Sequence, residues 1–203
     1  KPRHVISTAT TKVLSIKEKL FELRFMIFFI SGILLQISFG PFYGFFALFL
    51  RDLEYPGFAV GLFISLGVLA EIVVFIFASS FFKHFSLKSI LIFSLAVTAI
   101  RWLLVALYAE SVWVLALTQL IHAASFALFH SASMVFISNH FNSCQQSRGQ
   151  AIYLGGVCGA IGAYLSGALW LDGSGATTAF LTASVAALLA ACLMMFLPKD
   201  NTK

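Results

Sequence analysis

Six long apolar stretches, separated only by short loops, constrain this chain of 203 residues more than any other feature. They run over about 26–50, 58–81, 88–108, 112–137, 149–170 and 176–197. The hydrocarbon core of a bilayer is crossed by a helix of about 20 mostly apolar residues, so each stretch is long enough to span. The breaks carry turn-forming or charged residues: RDLEYPG, FKHFSLK, AES, SNHFNSCQQSRG and LDGSGA. A water-soluble fold of this composition is excluded. Only 10% of residues are charged, 60% are hydrophobic and the mean hydropathy is +0.97, against about 25% charged in an ordinary soluble domain. The expected class is all-α, a polytopic membrane protein.

An even number of spans puts both ends on one side, and the basic residues say which. Lys and Arg collect in short cytoplasmic loops. Every basic residue except Arg51 and Arg101 falls on the side of the termini, while Asp52, Glu54, Glu110 and Asp172 fall on the other. Both termini are therefore expected in the cytoplasm. Residues 1–24 read as a cytoplasmic linker, 25–198 as the six-helix bundle and 199–203 as a cytoplasmic tail. Within the linker, Val13, Ile16, Leu20 and Leu23 share one helical face opposite charged residues, the pattern of an amphipathic helix lying on the membrane surface. No cleavable signal peptide is visible. The net charge of +5 lies in loops and tails rather than on one basic face, so nucleic acid is not an expected partner. Cys144, Cys158 and Cys192 lack metal or redox spacing and are expected to be small packing residues. The chain opens on Lys1, and a fragment of something longer is expected.

Glu71 stands in GVLAEIVVFIFA with no other charge for more than ten residues on either side. An ionised side chain at the centre of a span costs roughly 2.5–3.5 kcal/mol on insertion scales. Such a residue is normally turned towards a partner or a water-filled cavity. Arg101, His122 and His130 raise the same question in the third and fourth spans. Counting about 1.5 Å per residue, Glu71, Arg101 and His122 fall within roughly 5 Å of the midplane, and His130 lies about 12 Å from His122. Ser94, Thr98 and Arg101 share one side of the third span. Gln119, His122, Phe126, His130 and Ser133 share one side of the fourth, and Gln36 and Tyr43 one side of the first. A polar, aromatic-walled interior follows. Gly40-Pro41 is expected to bend the first span. Gly155, Gly159, Ala163 and Gly167 are expected to let a neighbouring helix approach the fifth.

Enzyme chemistry finds no support. The chain has no glycine-rich phosphate loop, no HExxH and no acids paired at catalytic spacing, and His122 and His130 are too far apart on one straight helix to hold one metal. Neither a metal nor a cofactor is expected.

Several motifs resemble the carboxy-terminal half of a major facilitator superfamily transporter: LLQ with YGF (Leu34–Gln36, Tyr43–Phe45), SLGVLAEIVVF (Ser65–Phe75), RW (Arg101–Trp102) and IH…FH (Ile121–His122, Phe129–His130). They are most similar to the 3-phenylpropionate permease branch, which neighbours nucleoside and oligosaccharide proton symporters. The resemblance covers nearly all of the chain after residue 25. It implies two inverted three-helix repeats, a missing amino-terminal six-helix half, a small-molecule substrate, residence in the inner membrane and the proton gradient as energy source. SSFFKHFSLKSIL resembles the superfamily's cytoplasmic gating loop, with Ser79 where Gly is usual and Lys83 where Asp is usual. Lactose permease and its relatives carry a Glu, an Arg and a His on the helices corresponding to those of Glu71, Arg101 and His122. They also carry an acid where this chain has Ser125 and a Lys where it has Gln119, which leaves Glu71 as the implied proton carrier. Arg101 is implied to reach inward to Glu71.

The expected function is proton-coupled uptake of a small organic substrate such as an aromatic acid. A nucleoside or oligosaccharide symporter, and a non-transporting bundle with a structural Glu71–Arg101 pair, are the rival readings. The expected charge network is Glu71, Arg101 and His122. The expected substrate contacts are Gln36, Tyr43, Gln119, His122, Phe126 and His130.

Overall fold

The computed structural model describes residues 15–154, 157–170 and 175–198. Within them every regular element is helical: α1 (Ile16–Leu20), α2 (Leu23–Ser38), α3 (Gly40–Asp52), α4 (Gly57–His84), α5 (Leu87–Tyr108), α6 (Val112–Ser125), α7 (Ala127–His140), α8 (Gln146–Leu154), α9 (Val157–Leu169) and α10 (Gly175–Met195). Five helical runs are long and apolar enough to cross a membrane: Leu23–Asp52, Gly57–His84, Leu87–Tyr108, Val112–His140 and Gly175–Met195. The fifth stretch read from the sequence falls on α8 and α9, and residues 155–156 between them lie outside the described part. The chain is an all-α polytopic membrane protein.

Two of the long runs are broken, and both breaks have the same local cause. The sequence reads ISFGP at one and ASFAL at the other. The Ser38 hydroxyl donates to Leu35 O at 2.6 Å, and the Ser125 hydroxyl donates to His122 O at 2.9 Å. A serine bonded back to its own helix competes with the backbone ladder and bends it. At Phe39 the amide is then shared between Leu35 O and Gln36 O at 3.2 and 3.3 Å. Pro41, lacking an N–H, cannot restore the bond to Ile37 O. Phe126, at φ −103° and ψ −64°, closes α6 and opens α7.

The bend at Phe39 is packed backbone to backbone. A Cβ on Gly40 would run into the Gly162 carbonyl, and a Cβ on Gly162 would lie 2.8 Å from Ile37 Cα. Each glycine therefore turns a Cα hydrogen towards a carbonyl of the other segment, a weak contact that recurs at close helix crossings. Gly162 was not among the small residues expected to serve this role. Ala163 and Gly167 do face α3, through Gly44 and Phe45, whereas the ideal Cβ of Gly159 meets nothing within 4 Å. Gly155 lies outside the described residues.

α5 packs against α10, α6 and α7, and α4 packs against α6 and α7. α6 thus separates α4 from α5. α4 is the least covered run, with 17% of its apolar window buried.

The loops are tied as firmly as the helices. Lys88 donates to Met195 O and Leu197 O at 2.7 Å, so a cation closes the carbonyl end of α10. At the opposite end the Tyr55 hydroxyl reaches Glu110 O at 2.9 Å and Ala109 O at 3.1 Å. Burial, and then the Glu110 carboxylate, push the Tyr55 phenol above its usual range. Linker helix α1 is shorter than expected. Ser15 and Glu18 form a capping box, the helix ends at Phe21, and Glu22 is extended, so Leu23 belongs to α2. Val13 lies outside the described residues. The His140 ring nitrogen Nε2 lies 2.9 Å from Lys19 O, which fastens α1 to the end of α7. Cys144 and Cys192 are exposed free thiols rather than packing residues.

Candidate functional site

Glu71 and His122 meet across α4 and α6. His122 Nε2 lies 2.5 Å from Glu71 Oε1, with the imidazole 4% and the carboxylate 16% exposed. One residue makes this approach possible. A Cβ on Gly67, one turn before Glu71, would stand 3.3 Å from Gln119 Oε1 and 3.4 Å from His122 Cδ2. A glycine there lets α6 come close enough for the imidazole to reach the carboxylate.

The pair lines a cavity of about 320 Å³ together with Phe42, Tyr43, Gly44, Phe46, Ala47, Ile64 and Val68. Tyr43 is 63% exposed and stands at its edge. A second, smaller cavity of about 110 Å³ is lined by Gly32, Leu35, Gln36, Phe39, Phe126, Phe129, His130 and Tyr153. Rings join the two. Phe39 lies 5.6 Å from Tyr43, 5.8 Å from His122 and 5.9 Å from Phe126, centroid to centroid. His122, Phe126 and His130, each four residues apart, form a stacked ladder with spacings of 5.7 and 6.1 Å. The expected polar arc therefore continues through the break at Phe126.

The residues expected from the sequence divide accordingly. Glu71, His122 and Tyr43 share the larger cavity, and Gln36, Phe126 and His130 share the smaller one. Two expectations need correction. Gln119 is fully buried, with its amide 3.4 Å from the Thr118 hydroxyl and its carbonyl towards Gly67, so it packs between α4 and α6 rather than facing a substrate. Arg101 does not pair with Glu71. It is fully buried and its Nε donates to Thr118 O at 2.9 Å. Its guanidinium carbon lies 4.4 Å from the Phe42 ring and 4.2 Å from that of Trp102. The cause is the interposed α6: the imidazole is nearer to Glu71 and takes the contact.

Sequence reasoning also missed Phe42, which stands between Arg101 and the cavity, and Gly67. Charge draws attention to an acid or a guanidinium, whereas a phenylalanine among 23 or a glycine among 14 carries no such mark.

The arrangement can hold and release a proton. A 2.5 Å contact between an imidazole nitrogen and a carboxylate oxygen is a charge-assisted hydrogen bond, and it sits on the wall of a cavity that admits a small molecule. Among the described residues, no group of three or more His, Cys, Asp or Glu is placed to hold a metal ion.

Residues 3–182 match the model of the MFS_1-like family. The chain is also similar to a probable 3-phenylpropionic acid transporter of Escherichia coli (strain K12), 31% identical over 120 residues, which is 59% of this chain. The match spans 31% of that relative's length. On the family match, which covers most of its residues, this polytopic helical chain belongs to the MFS_1-like family of the major facilitator superfamily.

Proposed function

We propose that the chain is the carboxy-terminal half of a proton-coupled transporter that takes up a small aromatic carboxylic acid. The observation that carries the reading is the Glu71–His122 contact on the wall of a cavity otherwise lined by aromatic and aliphatic groups. A site for a polar cargo in a bilayer needs few polar groups in an apolar surround, and ionisable residues at mid-span are costly unless they serve a pathway. The name of the Escherichia coli relative points to the same class of substrate. With one proton shared, the pair is neutral overall, and an organic anion can approach it. With the proton gone, the pair carries a net negative charge and repels the anion. Substrate and proton therefore favour each other's presence in the cavity, the condition for symport.

In this reading the basic ends of the helices face the cytoplasm, the protein lies in the inner membrane, and a further six-helix half completes the path. Glu71 is the proton carrier. Tyr43, His122, Gln36, Phe126 and His130 contact substrate, and the machinery is that of a carrier rather than an enzyme.

Uptake of labelled 3-phenylpropionate by cells expressing the full-length transporter tests it. Saturable uptake, abolished by a protonophore and outcompeted by unlabelled 3-phenylpropionate but not by nucleosides or disaccharides, is expected. Competition by nucleosides or disaccharides alone would assign the site to those substrates. Unchanged uptake in both Glu71→Gln and His122→Ala would reduce the pair to a structural contact.

A further inference from the structure

Arg101 keeps two donors without a hydrogen-bond partner. Among the described residues, neither Nη1 nor Nη2 finds an acceptor, although both are buried. The guanidinium is sandwiched between two rings, and the two walls of that sandwich differ. Trp102 is fixed: it is fully buried, its Nε1 donates to the Ser38 hydroxyl at 3.2 Å, and its ring packs against Phe39 and Phe180 at 5.2 and 5.7 Å. Phe42 is only half-buried. Its ring lies 5.1 Å from that of His122 and borders the large cavity on its other side. One phenylalanine side chain is all that separates an unpaired guanidinium fork from the space beside Glu71.

We propose that Phe42 is a side-chain lid over a carboxylate-binding site whose ligand is the Nη1/Nη2 edge of Arg101. The inference rests on the reading of the substrate as an organic anion. With Phe42 across it, the cation is held by its bond to Thr118 O and by the two aromatic faces, an environment that a guanidinium tolerates. With Phe42 turned aside, the free edge meets the cavity, and two parallel N–H donors match a carboxylate in the bidentate geometry that arginine favours. The Nε bond to Thr118 O remains in place and keeps the fork aimed. The aryl part of the substrate then lies among the rings of Phe42, Phe39 and Tyr43. Cation–π contact in the empty site is exchanged for an ion pair in the loaded one, so the buried charge has a partner in both states.

Modification of Arg101 by phenylglyoxal in the purified full-length transporter, followed by mass spectrometry, tests this directly. Arg101 of the wild type is expected to react slowly. In Phe42→Ala it is expected to react roughly tenfold faster or more, because the closed fraction that scales down its apparent reactivity is removed. Phe42→Leu serves as the second variant should Phe42→Ala fold poorly, with thermal unfolding as the check. In either variant 3-phenylpropionate, benzoate or acetate should protect Arg101, and 3-phenylpropionamide should not. Equal reactivity in wild type and folded variants would overturn the lid, and reactivity that no carboxylate suppresses would overturn the anion site. Protection by benzoate or acetate without any 3-phenylpropionate uptake by the wild type would uphold the site and refute the aromatic-acid substrate.

Discussion

At 2.5 Å, His122 Nε2 and Glu71 Oε1 share a proton, which leaves His122 Nδ1 as a buried atom without a hydrogen-bond partner among the described residues. The imidazole is held by its surroundings: Phe39, Phe42 and Phe126 all lie within 6 Å of it, ring centre to ring centre. His122→Ala removes both the hydrogen bond and this packing, and is expected to cost about 2–4 kcal/mol of stability. His122→Phe keeps the packing and should recover part of the loss while leaving transport abolished, as thermal unfolding in detergent and uptake together would show. At this scale the sequence marked Glu71, Arg101 and His122 as residues in need of partners, because charge within an apolar run is conspicuous. It did not reveal which partners they choose. That choice depends on α6 lying between α4 and α5, a fact of packing with no signature in the spacing of charges.

Helix breaks belong to the next scale. Ser38 and Ser125 do the same local work, but Ser38 also accepts the indole N–H of Trp102 at 3.2 Å. Ser38→Ala therefore strands a buried donor and is expected to lower stability by about 1–3 kcal/mol. Ser125→Ala strands no known partner and should fall within about 0.5 kcal/mol of wild type. Thermal unfolding of the two variants side by side makes the comparison, and equal losses would contradict it. Gly162→Ala inserts a methyl group against the Ile37 backbone, where no side chain can rotate away. A loss of about 1–3 kcal/mol is expected, against little effect for Gly159→Ala, whose Cβ would meet nothing within 4 Å. The Gly40-Pro41 bend could be read from the residues, because proline lacks a donor wherever it is found. The break at Phe126 could not, since a serine bonded back to its helix looks in sequence like any other small polar residue. The tight glycine also had to be found in the structure: four-residue spacing singled out Gly159, and the crossing with α3 selects Gly162.

Across the whole molecule, the least covered helix carries the acid. α4 exposes Phe58, Leu62, Val68, Leu69, Ile72, Val73, Ile76 and Phe77, an apolar surface suited to lipid or to another apolar protein surface. Glu71 lies on the opposite side, against α6. The general class, helical and polytopic, followed from hydropathy alone, because a bilayer allows few other solutions to a chain this apolar. The site followed only in outline, because two cavities joined by a ring cluster depend on side-chain directions that periodicity places on a face but not in a pocket. The account's central claim is that the Glu71–His122 proton drives accumulation of an organic anion. Its most direct measurement compares accumulation of labelled 3-phenylpropionate against a gradient with counterflow exchange in vesicles holding the Glu71→Gln transporter. Exchange near the wild-type rate with accumulation lost is the predicted result, since an amide can support binding without releasing a proton. Accumulation at the wild-type level in Glu71→Gln would contradict the claim.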